Sequence, residues 1–119
     1  KPVYVKADRN RILEVLTNLI VNAIKYGKKE GFVHVSFHDL EDNIMVEVTD
    51  NGIGIEKKNL PRIFERFYRV DKSRSREQGG TGLGLSIVKH IIEAHNQSIN
   101  VRSIPEKGTT FNFTLEKAK

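Results

Sequence analysis

Three runs of this chain alternate apolar and polar residues with a period of two, and they restrict the fold more than any other feature. Val33, Val35 and Phe37 share one side of the first run, with His34, Ser36 and His38 on the other. Ile44, Val46 and Val48 repeat the pattern after the polar stretch from Asp39 to Asn43, and Phe111, Phe113 and Leu115 repeat it again. Successive strand side chains point to opposite faces, so each run predicts a strand with one buried face. The first two, joined by a polar turn, predict a β-hairpin. A further strand is expected over 98–103, and a short one from Val3 to Lys6.

A sheet with one apolar face needs a cover. From Asn10 to Tyr26, the residues Ile12, Leu16, Leu19, Ile20 and Ala23 recur at helical spacing. Asp8 is placed to cap this helix and Gly27 to end it. A second long helix is expected from Thr81 to His95, with Val88, Ile91, Ile92 and His95 on one side. A short helix started by Pro61 is expected from Asn59 to Phe67. Residues 69–80 have no periodicity, carry six charges and two glycines, and predict a mobile loop, disordered from about Lys72 to Gly79. The expected architecture is a single domain over 1–119, an α/β (α+β) two-layer sandwich with helices on one face.

Composition narrows the chemistry. The chain lacks cysteine, which removes disulfides, thiolate metal sites and cysteine nucleophiles and accords with the cytoplasm. It contains no apolar run long enough to cross a membrane, and its first residues predict a strand rather than a signal peptide. A net charge of +5, concentrated at Arg62, Arg66, Arg69, Lys72, Arg74 and Arg76, either serves an anionic partner or forms a solvated surface.

Three polar features are not explained by packing. Asn18, Asn22 and Lys25 fall within about 60° of one another on the first helix, at the border of its apolar stripe. They form either an exposed polar edge or a site in which an amide oxygen ligates Mg²⁺ and a lysine meets phosphate. Asp50-Asn51-Gly52-Ile53-Gly54 follows a strand directly. It reads as a hairpin turn or as a place where a flat ligand lies against the backbone, with the carboxylate accepting from an amine. Ile55-Glu56-Lys57-Lys58 does not resume alternation, which favours the second reading. Gly79-Gly80-Thr81-Gly82-Leu83-Gly84-Leu85-Ser86 runs into the last long helix, where amides are left free to cradle phosphates, although a glycine-rich loop alone is a weak sign of a nucleotide. No Gly-Lys-Ser or Gly-Lys-Thr follows it, so it is not a P-loop, and neither glycine group has dinucleotide-fingerprint spacing.

The order of these features is more specific than any one of them. Asn18-Leu19-Ile20-Val21-Asn22-Ala23-Ile24-Lys25-Tyr26 comes first, followed by Asp50-Asn51-Gly52-Ile53-Gly54-Ile55. Ile63-Phe64-Glu65-Arg66-Phe67-Tyr68-Arg69, Gly80-Thr81-Gly82-Leu83-Gly84-Leu85 and Gly108-Thr109-Thr110-Phe111 complete the series. In this order they resemble the histidine kinase branch of the gyrase, heat-shock chaperone and mismatch-repair ATPase superfamily, over nearly the whole chain. The resemblance implies a Bergerat-type fold, three helices on a mixed sheet, with ATP held between the sheet, the first helix and a mobile lid.

By matching motif position, the resemblance implies that Asp50 accepts from the adenine amine, with Gly52, Gly54 and Ile55 beside the base. Asn22 would ligate Mg²⁺, Asn18 and Lys25 would meet phosphates, and Tyr26 would lie near the ribose or adenine. Phe64 and Phe67 would anchor the lid, and Arg69 would lie near the terminal phosphates. Gly80, Thr81, Gly82, Leu83, Gly84 and Leu85 would hinge the lid and offer backbone amides, and Thr110 would support adenine through water. Hydrolytic relatives carry a glutamate four residues before the Mg²⁺ asparagine; Asn18 stands there, which implies transfer to another protein group rather than fast hydrolysis.

Partners follow from the same resemblance. The phosphoaccepting histidine would lie in a separate dimerisation domain, with a response regulator downstream in a two-component system and the parent protein anchored in the bacterial inner membrane. His34, His38, His90 and His95 lack the context of a phosphoacceptor, an acidic-flanked histidine within a helical dimerisation domain: His34 and His38, the latter followed by Asp39, sit on the outer face of a strand, and His95 is expected to be a packed residue. The isolated domain is expected to be monomeric and to contact neither membrane nor nucleic acid. Relatives usually carry a further strand before Val3–Lys6, which predicts an open sheet edge there. Asn96 stands where relatives commonly have glycine, and asparagine also suits a left-handed helix stop. Rival readings are an anti-sigma-type serine kinase, an ATP-hydrolysing relative, and a basic nucleic-acid-binding module.

Overall fold

The computed structural model describes residues 3–65 and 84–118. Its elements are α1 (Arg9–Lys25), β1 (Val33–Asp39), β2 (Asn43–Asp50), a 3₁₀ turn (Leu60–Arg62), α2 (Gly84–Ala94), β3 (Ile99–Ile104) and β4 (Gly108–Glu116). The strands form one sheet in the order β1-β2-β4-β3, and the two α-helices pack on each other and on one of its faces. The two-layer sandwich is therefore as expected. The sheet is not mixed among the described residues: all three ladders are antiparallel, the β1–β2 and β3–β4 ladders as hairpins require and the central β2–β4 ladder likewise. Of the short helix expected from Asn59 to Phe67, the described residues show a 3₁₀ turn, Leu60–Arg62, with Pro61 at its start.

Helix α1 begins where Asp8 accepts a hydrogen bond from the Arg11 amide at 3.2 Å. The amide of Asp8 in turn donates to Nε2 of His95 at 3.0 Å, and Nδ1 of His95 lies 2.8 Å from the Ile91 carbonyl. A carbonyl only accepts, so His95 is the neutral Nδ1–H tautomer and pins the start of α1 to the end of α2. Helix α2 stops at Asn96, whose φ of 59° is left-handed, with Gln97 N–H donating back to Ile92 O at 3.2 Å.

The deepest stripe of α1 is Val15, Leu19 and Ala23, four residues apart, and it meets Val88, Ile91 and Ile92 of α2. Below them lie Ile44, Val46 and Val48 of β2 and Phe111, Phe113 and Leu115 of β4, the two central strands. Fully burying each such side chain is worth about 1.5–3 kcal/mol. Phe37 departs from its expected place: it shares the parity of Val33 and Val35 but is 66% exposed. Strand β1 is one edge of the sheet, and the core reaches only Val33 and Val35 on it. Val3–Lys6 makes a single antiparallel bridge, Val5 to Lys117, rather than a strand.

Candidate functional site

Three segments meet at the C-terminal ends of α1 and β2. Gly52 lies so close to α1 that a Cβ there would fall 2.4 Å from the Tyr26 carbonyl oxygen, which also accepts from Ile53 N–H at 3.1 Å. Gly54 has φ +74°, and a Cβ on it would fall 2.3 Å from the Ile104 carbonyl oxygen. A Cβ on Gly108, at φ +136°, would fall 2.0 Å from the Asp50 carbonyl oxygen. These glycines let the 50–55 loop thread between α1 and the β3–β4 turn, where any side chain would force the segments apart.

Asp50 stands at the end of β2, opposite Thr109 in the β2–β4 ladder. Its Oδ1 accepts from Gly52 N–H at 2.8 Å. Burial pushes its carboxyl above the usual carboxylate range, and the Gly52 and Thr109 amides pull the other way. A half-buried carboxylate held by backbone amides suits a ligand that donates, such as an aromatic amine.

Asn51 turns its amide the other way, accepting from Phe32 N–H at 2.7 Å and fixing the connection from α1 to β1. Behind Asp50, Ser103 Oγ accepts from Ile55 N–H at 2.7 Å, donates to the Gly108 carbonyl at 2.8 Å and lies 2.8 Å from Thr109 Oγ1.

Further back along α1, Asn18 Oδ1 would lie 3.7 Å from a Cβ on Gly84, the first residue of α2. Among the described residues no other atom comes within 4 Å of that Cβ, so the start of α2 lies beside Asn18. Asn18, Asn22 and Lys25 are half-buried along one flank of α1, and Tyr26 caps it. From Asn18 to Tyr26 the helix rises about 12 Å, a span comparable to an extended nucleotide. Ile55 and Leu85 are partly buried against the core, as is Phe64, whose ring meets Phe111 edge-on at 6.0 Å.

The structure thus sets Gly52 against Tyr26 at the end of α1, Gly54 against Ile104 and Asn18 beside Gly84, with Asn22 and Lys25 half-buried on the same flank of α1 between them. It does not bring Thr110 to this side of the sheet. Thr110 lies on the uncovered face, its hydroxyl 3.1 Å from that of Thr49. The strand alternation that buries Phe111 and Phe113 gives Thr109, 7% exposed, the place beside Asp50. Phe67, Arg69, Gly80, Thr81, Gly82 and Leu83, and with them the expected mobile lid, lie outside the described residues.

The sequence and the fold both have relatives. Residues 7–119 match the family of histidine kinase-, DNA gyrase B- and HSP90-like ATPases. The sensor histidine kinase WalK of Bacillus subtilis is 47% identical over 117 residues, covering 97% of this chain and 19% of its own length. The phosphate regulon sensor protein PhoR of Pseudomonas aeruginosa is 43% identical, over 98% of this chain and 26% of its own length. The chain therefore spans about a fifth to a quarter of these two curated relatives. Among solved structures, the nucleotide-free catalytic domain of histidine kinase ThkA superposes with a TM-score of 0.80 at 34% identity, over 95% of this chain and 70% of that one. The mycobacterial sensor histidine kinase MprB gives 0.83 at 28% identity, over 95% and 76%.

Proposed function

Because the chain belongs to the histidine kinase-, DNA gyrase B- and HSP90-like ATPase family, we propose that it is the ATP-binding catalytic domain of a bacterial sensor histidine kinase. On this reading it delivers the γ-phosphoryl group of Mg-ATP to a histidine on a separate dimerisation domain of the parent protein. The observation that carries the reading is the adjacency of Asn18 to the start of α2, one nucleotide length along α1 from the Asp50–Gly52 loop. The base end of the cleft offers an acceptor, and the phosphate end offers helix-start amides and side-chain amides.

Asp50 takes the adenine amine, and Gly52 and Gly54 let the base lie against the backbone. Asn18, Lys25 and the first turn of α2 hold the phosphates, the helix amides and dipole favouring negative charge. Mg²⁺ fits the donor set. Among the described residues no three carboxylate or imidazole groups cluster, and Mg²⁺ prefers one or two protein oxygens with water and substrate phosphates. Asn22 would hold it through the amide oxygen; bound there, the ion neutralises charge on the phosphate oxygens. Thr109 rather than Thr110 supports the base. Arg69, Phe67 and residues 80–83 enter through their motif positions, as phosphate, anchor and hinge groups.

Asn18 stands where hydrolytic relatives carry the glutamate that activates water, which favours transfer of the γ-phosphoryl group to an incoming imidazole over hydrolysis. The parent protein would pass it on to a response regulator in two-component signal transduction, with this domain in the cytoplasm and monomeric on its own. No helix among the described residues is long and apolar enough to cross a membrane, so anchoring would belong to other segments. The test is titration of a non-hydrolysable ATP analogue with and without Mg²⁺, followed by phosphoryl transfer from ATP to an added histidine-bearing dimerisation domain. Saturable, Mg²⁺-dependent binding with transfer to histidine is expected; a folded domain that binds nothing refutes the reading.

A further inference from the structure

We propose that Ser103 is a positioning residue that sets base specificity: it takes the hydroxyl proton of Thr109, so that Thr109 faces the pocket beside Asp50 only as an acceptor. This rests on the ATP-binding reading above and adds to it a reason for preferring a 6-amino over a 6-oxo purine.

The proton count decides the arrangement. A serine hydroxyl has one proton and two lone pairs. Ser103 Oγ has three neighbours: the Ile55 amide at 2.7 Å, the Gly108 carbonyl at 2.8 Å and Thr109 Oγ1 at 2.8 Å. The amide can only donate and the carbonyl can only accept. The serine proton therefore goes to Gly108 O, one lone pair receives Ile55 N–H, and the second receives the Thr109 proton. Thr109 is left with lone pairs alone.

Thr109 is 7% exposed and stands opposite Asp50, on the helix-covered side of the sheet. The Asp50 carboxylate already takes Gly52 N–H at 2.8 Å and has acceptor capacity to spare. A base entering this corner meets two acceptors, directly or through one water. An exocyclic amine supplies two N–H donors and satisfies both. A 6-oxo group brings a third acceptor into a part-buried corner, where unpaired polar atoms are costly.

Ser103 also couples this corner to the loop. Ile55 N–H follows Gly54, whose closest approach is to Ile104, the residue after Ser103. One hydroxyl thus fixes both the loop that carries the glycines and the hydrogen-bond polarity of the residue beside the base.

The test is the ratio of dissociation constants for ITP and ATP, measured with Mg²⁺ by calorimetry on the wild-type chain, Ser103→Ala, Ser103→Thr and Thr109→Val, with thermal unfolding of each. The wild type should prefer ATP. Ser103→Ala frees the Thr109 proton to turn toward the base and should shrink the ITP:ATP ratio roughly three- to tenfold, the worth of one hydrogen bond. Ser103→Thr keeps the hydroxyl and should restore the wild-type ratio. Thr109→Val removes the acceptor while leaving Ser103 on the loop, and should shrink the ratio similarly. If Ser103→Ala weakens both nucleotides equally, the residue is only structural and the proposal falls while ATP binding stands. If Ser103→Ala does not fold, an unchanged ratio in Thr109→Val overturns it. A folded wild type that binds neither nucleotide overturns the ATP reading and this one together.

Discussion

Replacing Asp50 with asparagine should separate the stability of this domain from its ligand binding. The two side chains have nearly the same shape, and the asparagine carbonyl oxygen can keep the bond from Gly52 N–H, 2.8 Å long in the wild type. Burial raises the Asp50 carboxyl above its ordinary value of 3.8, against the pull of the Gly52 and Thr109 amides. A carboxyl raised on folding holds its proton more tightly in the native state. Stability is therefore highest below the unfolded value, falls as pH rises toward the folded value, and is lower by a constant amount above it. Asparagine carries no charge at any pH. Asp50→Asn should thus match the wild type in acid and equal or exceed it at pH 7.

Binding should move the other way. A hydrogen bond to a charged group is worth about 1.5–3 kcal/mol, and leaving the asparagine NH₂ against the adenine amine strands two donors at about 1–3 kcal/mol more. The sum corresponds to a loss of affinity on the order of 10²–10⁴-fold. Denaturant unfolding from about pH 3 to 8 reads the first effect, and calorimetry with an ATP analogue reads the second. The reasoning is refuted if the variant binds within tenfold of the wild type, or unfolds more easily at pH 7.

Gly54→Ala places a Cβ 2.3 Å from the Ile104 carbonyl at a left-handed φ of +74°. It should cost about 1–3 kcal/mol in chemical denaturation and weaken nucleotide binding together with it. Asn96→Gly relieves a side chain held at φ 59° and should raise stability by a few tenths to about 1 kcal/mol in the same assay. The Lys117 ammonium, 2.7 Å from Asp39, and the Glu41 amide hold the exposed Asp39 carboxyl below its usual range. That stabilisation is present above the unfolded value of 3.8 and is lost as pH falls through the folded one. Asp39→Asn should therefore lower the melting temperature slightly at pH 7 and not in strong acid, and a uniform effect across pH would refute the pairing.

Much of the architecture was legible before any coordinates. Alternation at 44–48 and 111–115 located the two central strands, and these carry the core. Asp8 caps α1 and Asn96 stops α2 as their side-chain chemistry predicts. Thr109 was within reach of the same alternation: the parity that turns Phe111 and Phe113 inward also turns Thr109 inward, so Thr110 could not share its face. Phe37 has the right parity and still lies in solvent, because parity gives a side chain its face but cannot say whether anything covers that face.

What the sequence determined by itself is the set of local elements and the order of the polar motifs, since dihedral preference, side-chain period and capping act over a few residues. What only the tertiary structure decided is which of those residues meet. Ile55, Ser103 and Thr109 share one hydroxyl across 48 and 6 positions of chain, and Asn18 faces Gly84 from another helix. Such contacts depend on strand order and helix packing, which arise from burying one common core.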